Sequence, residues 1–333
     1  MSTHLDGQPA QAHWSRLAER GSGLGLRFVF ACQYLLGRRM TRILLYPIVL
    51  YFFLTAKTAR AASWDYLRQL RDTKVPSLSV NWKTVFRHFY AFAVSGLDKL
   101  VAWSGRLDHA SVSFPQREAF EALLASGRGA VLIGAHLGNL EMSRALASGR
   151  KIANINAVVY TDHAQRFSRI LEHANADFGA SLIQVSALGA DTAIILKEKI
   201  DHGELLVIVG DRTPPAENGR IVEADFLGRN APFAVGPWIL ASLLDCPVYL
   251  FFCLPEGDGY RIHFEPFSEQ IELPRKQRQA ALETYIQRYA DRLADYCAMA
   301  PLQWFNFFDY WKTDPKRLAA DKPDPGNTAS TSQ

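Results

Sequence analysis

Cysteine is scarce: Cys32, Cys246, Cys253 and Cys297 are scattered, with no Cys-x-x-Cys pair. That excludes a disulfide scaffold and the usual structural zinc modules, and a reducing compartment is the simplest setting. There is no P-loop, no Gly-x-Ser-x-Gly elbow and no His-Glu-x-x-His. Gly21, Gly23 and Gly25 follow no strand, so they are not a dinucleotide fingerprint. These absences weigh against several common enzyme classes. The uncharged run Ile43–Ala56 has 14 residues, short of the roughly 20 needed for a straight bilayer span. There is no internal repeat and no long low-complexity segment.

What is present suits a globular protein. The 333 residues are 48% hydrophobic, 21% charged and 12% aromatic, enough for one medium-large domain with an appendage, or two domains. The net charge of +4 hides an asymmetry. Residues 1–105 hold 14 Lys/Arg against 5 Asp/Glu, and residues 106–333 hold 23 against 28. A basic N-terminal third fits nucleic acid or an anionic membrane surface, which attracts each Lys or Arg by roughly 1 kcal/mol.

The apolar pattern favours the membrane. Phe28–Leu36 and Ile43–Ala56 are two short apolar stretches separated by Arg38, Arg39 and Arg42. Basic flanks and terminal aromatics predict an embedded or interfacial helical anchor; the alternative is a buried helix pair. A signal peptide is not expected, because the apolar run starts late and no small-residue cleavage site follows. Trp82–Trp103 has helical spacing of a core-packing kind. The first 22 residues and residues 313–333 are polar and read as disordered. The division is then 1–22 disordered, 23–105 basic helical anchor, 106–312 catalytic domain and 313–333 tail.

From Gly129 onward strand and helix alternate. Strands are expected at Ala130–Ala135, Ile152–Tyr160, Leu182–Val185, Leu205–Gly210 and Val248–Leu254, the last pairing with Tyr260–Phe264 across a turn at Glu256–Gly259. Helices are expected at Leu140–Ala147, Ala164–Ala176, Ala190–Lys199, Phe233–Leu244 and Gln279–Met299. This predicts an α/β fold: a mostly parallel central sheet with helices on both faces, plus the N-terminal apolar helical anchor. Chemistry in such folds collects at the carboxyl ends of the strands, where His136 and Asp211 stand.

His136-Leu137-Gly138-Asn139-Leu140-Glu141 is the leading candidate. A histidine at a strand end, a tight Gly-Asn turn and an acid in the first turns of a helix let Glu141 orient one imidazole nitrogen and leave the other as a general base. Amides at the helix start, including those of Gly138 and Asn139, would favour an oxyanion. The bland alternative is a satisfied histidine with a capping glutamate. Asp211-Arg212 follows the next apolar strand; Arg212 suits a phosphate or oxyanion, and a loop ion pair is the alternative. Asp225-Phe226-Leu227-Gly228-Arg229, with the helix start at Gly236-Pro237, would line an apolar channel or form a turn on the core. His163, Arg166 and Arg169 share one expected helix and read as a solvated face. His263 reads as structural.

Four ordered blocks, GAHLGNLE, GDR, DFLGRNAPFAVGP and PLQWFNFFDYW, resemble the bacterial lipid A biosynthesis late acyltransferases (lauroyl/myristoyl type), within the lysophospholipid/glycerolipid acyltransferase superfamily. The resemblance runs from about Leu24 to Trp311. It implies His136 as general base, Glu141 as its orienting acid and Asp211 as the family's acid after the strand. The segments around Phe226, Leu227, Gly228, Arg229 and Gly236 would border the acyl and acceptor sites. It also implies an acyl thioester donor on acyl carrier protein or coenzyme A, a lipid or glycolipid hydroxyl as acceptor, no metal or other cofactor, no nucleic acid, and a place on the cytoplasmic face of the inner membrane. Leu137 and Leu140 stand where aromatics are commoner, Arg212 where many members carry another polar residue, and either Arg166 or Arg169 could match the family arginine. Two rivals are a metal-dependent hydrolase using His136, Glu141 and Asp211, and a non-catalytic membrane adaptor.

Overall fold

The computed structural model describes residues 23–103, 112–140, 142, 154–159, 182–184, 190–213 and 220–312. Both expected disordered termini, the helix at 164–176 and most of that at 140–147 lie outside these residues. So do Glu141, His163, Arg166 and Arg169.

Three helices lead: α1 (Gly23–Thr55), α2 (Lys57–Thr73) and α3 (Trp82–Trp103). They are followed by β1 (Val112–Ser113), α4 (Arg117–Ala125), β2 (Ala130–Gly134), β3 (Ile155–Val159) and β4 (Leu182–Gln184). Next come α5 (Ala190–Asp201), β5 (Leu205–Val209), β6 (Ile221–Phe226), β7 (Arg229–Ala234) and α6 (Gly236–Leu244). The chain then forms β8 (Val248–Glu256), β9 (Gly259–Ser268) and α7 (Arg278–Met299).

Seven strands form one sheet in the order β1-β9-β8-β2-β5-β3-β4. Every neighbouring pair is parallel except β8 and β9, which form the expected hairpin with Glu256 opposite Gly259. The central strands are apolar on both faces because both faces are covered. Alternation sorts their side chains into two cores. Val131, Ile133, Leu206 and Ile208 enter one, with Leu240 of α6 and Leu282, Ile286 and Leu293 of α7. Ala130, Leu132, Leu205 and Val207 enter the other, with Phe120 and Leu123 of α4.

Within α1 the two apolar N-terminal stretches lie on two helical segments that meet at a kink at Gly37, whose φ of 75° is left-handed. No single helix among the described residues is long and apolar enough to cross a membrane. Met40–Thr55 with Lys57–Thr73, bent by 94°, pass that test together by length and composition. The helices are not wholly buried either: Ile43, Tyr46, Leu50, Tyr51 and Leu54 of α1 are exposed. The expected boundary at residue 105 does not separate two cores. Tyr66, Leu67 and Leu70 of α2 and Val85, Phe89 and Leu97 of α3 are buried in the same cluster as the sheet.

One helix begins later than its apolar pattern suggests. Phe233 lies in β7, paired with Val222 of β6, and α6 starts at Gly236 with proline at its first turn. Proline suits that turn and disfavours helix in the residue before it, so the strand keeps Phe233. Between β6 and β7, Leu227 (φ 55°) and Gly228 (φ 78°) form a two-residue turn with both centres left-handed, the twist that a tight hairpin favours.

A Cβ on Gly228 would meet Thr73 Cγ2 of α2 at 3.0 Å. Gly228→Ala is expected to lower stability by about 1–2 kcal/mol, the cost of a left-handed conformation in a residue with a side chain. The denaturant midpoint should fall while activity per folded molecule stays near wild type.

Candidate active site

Strand register brings the site together. β2 and β5 are parallel neighbours with Gly134 opposite Val209. Two residues beyond each, His136 and Asp211 therefore leave the sheet level with one another. β2 has β8 on its other side; the chain turns to opposite sides of β2, the point where open α/β sheets place their crevice.

Asp211 is fully buried. Its Oδ1 accepts from His136 Nδ1 at 2.8 Å. Its Oδ2 accepts from the His136 backbone N–H at 3.0 Å, Trp304 Nε1 at 3.1 Å and Asn306 Nδ2 at 2.8 Å. Burial alone would raise this carboxyl's pKa. His136, Arg212 and Asn306 outweigh it and hold the group down at about 2. An ionised carboxylate only accepts, so His136 must carry its proton on Nδ1 and leave Nε2 with its lone pair. The His136 side chain is 29% exposed. Its pKa lies below the usual histidine value, through burial first and the Arg212 charge second, with Lys99 adding to them and Asp211 opposing. At neutral pH the ring is an oriented, uncharged base.

The acid that meets Nδ1 is thus Asp211, where the sequence reading gave that place to Glu141. Spacing along the chain favoured the nearer acid, whereas the register of β5 against β2 delivers the distant one. Arg212 is held beside the pair, Nε donating to Asn306 Oδ1 at 2.7 Å and Nη2 to the Phe305 carbonyl at 3.1 Å.

Gly138 and Asn139 have a different role from the expected oxyanion donors. The Gly138 N–H donates to the Gln303 carbonyl at 2.9 Å, and the Asn139 N–H to the Cys253 carbonyl at 2.8 Å. Both amides are committed to holding the turn after β2 against β8 and the C-terminal segment. Gly138 has φ 72° and a Cβ there would collide with the Cys253 carbonyl oxygen, so the turn requires glycine.

The third expected group also has its own place. Phe226 and Leu227 are buried in the core, with the Phe226 ring 5.2 Å from Trp304 and its carbonyl accepting from Trp311 Nε1 at 3.0 Å. Arg229 pairs with Asp65 of α2 at 2.9 Å and lies over the Trp311 ring. The hairpin thus packs against Trp304 and Trp311 of the C-terminal segment. Gly236 opens α6, whose Trp238 is buried against Tyr289 and Tyr285 of α7. Conversely, Trp304 and Asn306 touch Asp211 without having been singled out; the only sequence signal for them was the PLQWFNFFDYW block as a whole. No group of three or more His, Cys, Asp or Glu side chains arranged to hold a metal ion occurs among the described residues.

The Asp211 pKa gives a stability prediction. Its folded value of about 2 lies below the unfolded value near 3.9. The contribution is therefore fully present above pH about 4 and is lost as pH falls through about 2, some 2–3 kcal/mol in all. Asp211→Asn should flatten the acid limb of stability against pH in denaturant titrations, and should reduce turnover because Nδ1 loses its charged acceptor.

Comparison with curated proteins gives no match. The family described as bacterial lipid A biosynthesis acyltransferase matches residues 85–313, from within α3 to just past the C-terminal aromatic block and so around every residue of the His136–Asp211 network. That is more than half of the chain, and the chain belongs to the bacterial lipid A biosynthesis acyltransferase family.

Proposed function

We propose that this chain is a membrane-associated acyltransferase that moves a fatty acyl group from a thioester, on acyl carrier protein or coenzyme A, to a hydroxyl of a lipid or glycolipid, lipid A-type late acylation above all. The observation that carries this reading is the His136–Asp211 pair, bonded at 2.8 Å at the carboxyl ends of two central strands, in a chain of this family.

The acceptor hydroxyl gives its proton to His136 Nε2 as its oxygen attacks the thioester carbonyl. Asp211 stabilises the resulting imidazolium through Nδ1–H. The tetrahedral oxyanion collapses, the C–S bond breaks, and the imidazolium returns the proton to the leaving thiolate. Products are an ester and a free thiol, with no covalent acyl-enzyme. Arg212 supplies positive charge beside the pair. Glu141, the acid that the family resemblance pairs with His136, belongs to the same set of residues to be tested.

The reaction is proposed for the cytoplasmic face of the inner membrane. The exposed apolar side chains of α1, with Arg38, Arg39, Lys57 and Arg60 nearby in sequence, suit an interfacial seat in anionic lipid. Substrate and product would then stay in the bilayer surface while the thioester arrives from water.

Lipid mass spectrometry of the native host tests this with wild type, a deletion, and chromosomal His136→Ala, Glu141→Ala and Asp211→Asn variants. One lipid class should lose one fatty acyl mass in the deletion and in His136→Ala alike. A lipid change in the deletion but not in His136→Ala would make the protein an adaptor instead. With purified enzyme, His136→Ala should cut transfer on the order of 100- to 10,000-fold. The base must be unprotonated and its pKa is depressed, so the acid limb of kcat/KM should lie below pH ~6.5, the ordinary histidine value.

A further inference from the structure

The segment 303–306 reaches the site as irregular chain, so no continuous ladder satisfies its backbone. Its groups are taken up one by one. The Gln303 carbonyl accepts from Gly138 N–H, the Phe305 N–H donates to the His136 carbonyl at 2.8 Å, and the Phe305 carbonyl accepts from Arg212. These partners all follow β2 or β5. The Trp304 carbonyl differs: it accepts at 2.9 Å from Nε2 of His88, on α3.

His88 is fully buried. A carbonyl only accepts, so Nε2 carries the proton. Nδ1 then accepts from the Ser63 hydroxyl of α2 at 2.8 Å. The ring is packed against Tyr66 on one side and Phe307 on another, with centroids 5.6 and 4.7 Å away. One tautomer and one orientation are therefore fixed. The residue it holds is the one whose indole N–H reaches Asp211 Oδ2, and Asn306, two residues on, reaches the same oxygen. A continuous path runs Ser63, His88, Trp304, Asp211, His136. Packing alone would need a ring of this size; it would not need a donor at Nε2 and an acceptor at Nδ1.

We propose that His88 is a positioning residue for the transfer reaction. By holding the Trp304 carbonyl it sets where the indole and the Asn306 amide meet Asp211, and through Asp211 the direction of the His136 ring. It connects α2 and α3 to the catalytic pair without touching substrate. The inference rests on the reading of His136 and Asp211 as the catalytic pair.

The test compares His88→Leu, His88→Gln and Ser63→Ala with wild type in the full-length protein. Gln keeps an N–H donor and an acceptor, whereas Leu keeps bulk only. His88→Leu should lose kcat about 10- to 100-fold, as expected of a slightly misplaced catalytic group, with the donor KM little changed. His88→Gln should recover most of that loss, and Ser63→Ala should show a smaller loss of the same kind. The groups facing His136 are Asp211, which raises its pKa, and Arg212 and Lys99, which lower it. Loosening Asp211 should therefore move the acid limb of kcat/KM to lower pH in His88→Leu. The NMR signal of the His136 Nδ1 proton should shift or broaden in His88→Leu and return in His88→Gln. Wild-type kcat and limb in His88→Leu would overturn the proposal. So would equal losses in the Leu and Gln variants that merely follow their melting temperatures. Should His88→Leu fail to fold, an unchanged kcat and Nδ1 signal in Ser63→Ala would likewise overturn it. A wild-type protein without acyl transfer but with the Nδ1 signal responding as stated would instead remove the acyltransferase reading and leave the positioning intact.

Discussion

The structure turns on a buried carboxylate with four donors. An ionised Asp211 out of water would cost several kcal/mol if unpaired. Here every donor comes from a part of the chain that must be correctly placed: the ring and backbone of His136 after β2, the indole of Trp304 and the amide of Asn306. The same bonds that make the charge tolerable also choose the imidazole tautomer. Stability and the orientation of the imidazole thus share one group, and the site cannot form until the C-terminal segment has crossed back to the sheet.

That crossing explains why so much aromatic mass lies behind the site. Trp304 is fully buried and is surrounded by Tyr66, Phe226 and Tyr310, at centroid distances of 4.8, 5.2 and 4.7 Å. Large rigid rings hold an irregular segment where no ladder does, at little cost in rotamer freedom. The β6–β7 hairpin belongs to this support. Its Arg229 ties α2 through Asp65, so the N-terminal helices, hairpin and C-terminal segment brace one another.

The N-terminal helices have two environments. One side of α2 and α3 is core, continuous with the sheet. Much of α1 shows apolar side chains outward. The helix group thus carries both an outward apolar surface and a face packed on the sheet that holds His136 and Asp211. Lys74 of the turn after α2 adds a further link, pairing at 2.8 Å with Asp295 of α7, which also receives Arg292.

Strands β2, β3, β4, β5, β8 and β9 and helices α3, α5 and α7 were legible because their patterns are local, whereas β1, α4 and the β6–β7 hairpin were not read from the sequence. A run such as Ala130–Gly134, apolar at every position and bounded by glycine, has few uses other than a strand covered on both faces. The two apolar stretches parted by arginines were legible, and the kink between them falls at Gly37, where φ is 75°. The start of α6 was less legible, since Phe233 fits a helix by periodicity and only its pairing with Val222 keeps it extended. His136 and Asp211 could each be picked out from their places after apolar strands. Their partnership could not, because it depends on which strand lies beside β2 and in what register, a long-range fact that spacing does not contain. The sequence by itself determined the α/β alternation, the basic apolar N-terminus and the places of His136 and Asp211 after apolar strands. Tertiary structure alone decided that Asp211 meets His136 Nδ1, and that the Gly138 and Asn139 amides, Phe226 and Arg229 hold neighbouring segments together. Hydrogen bonds between distant segments are set by packing, and packing is settled by the whole chain together.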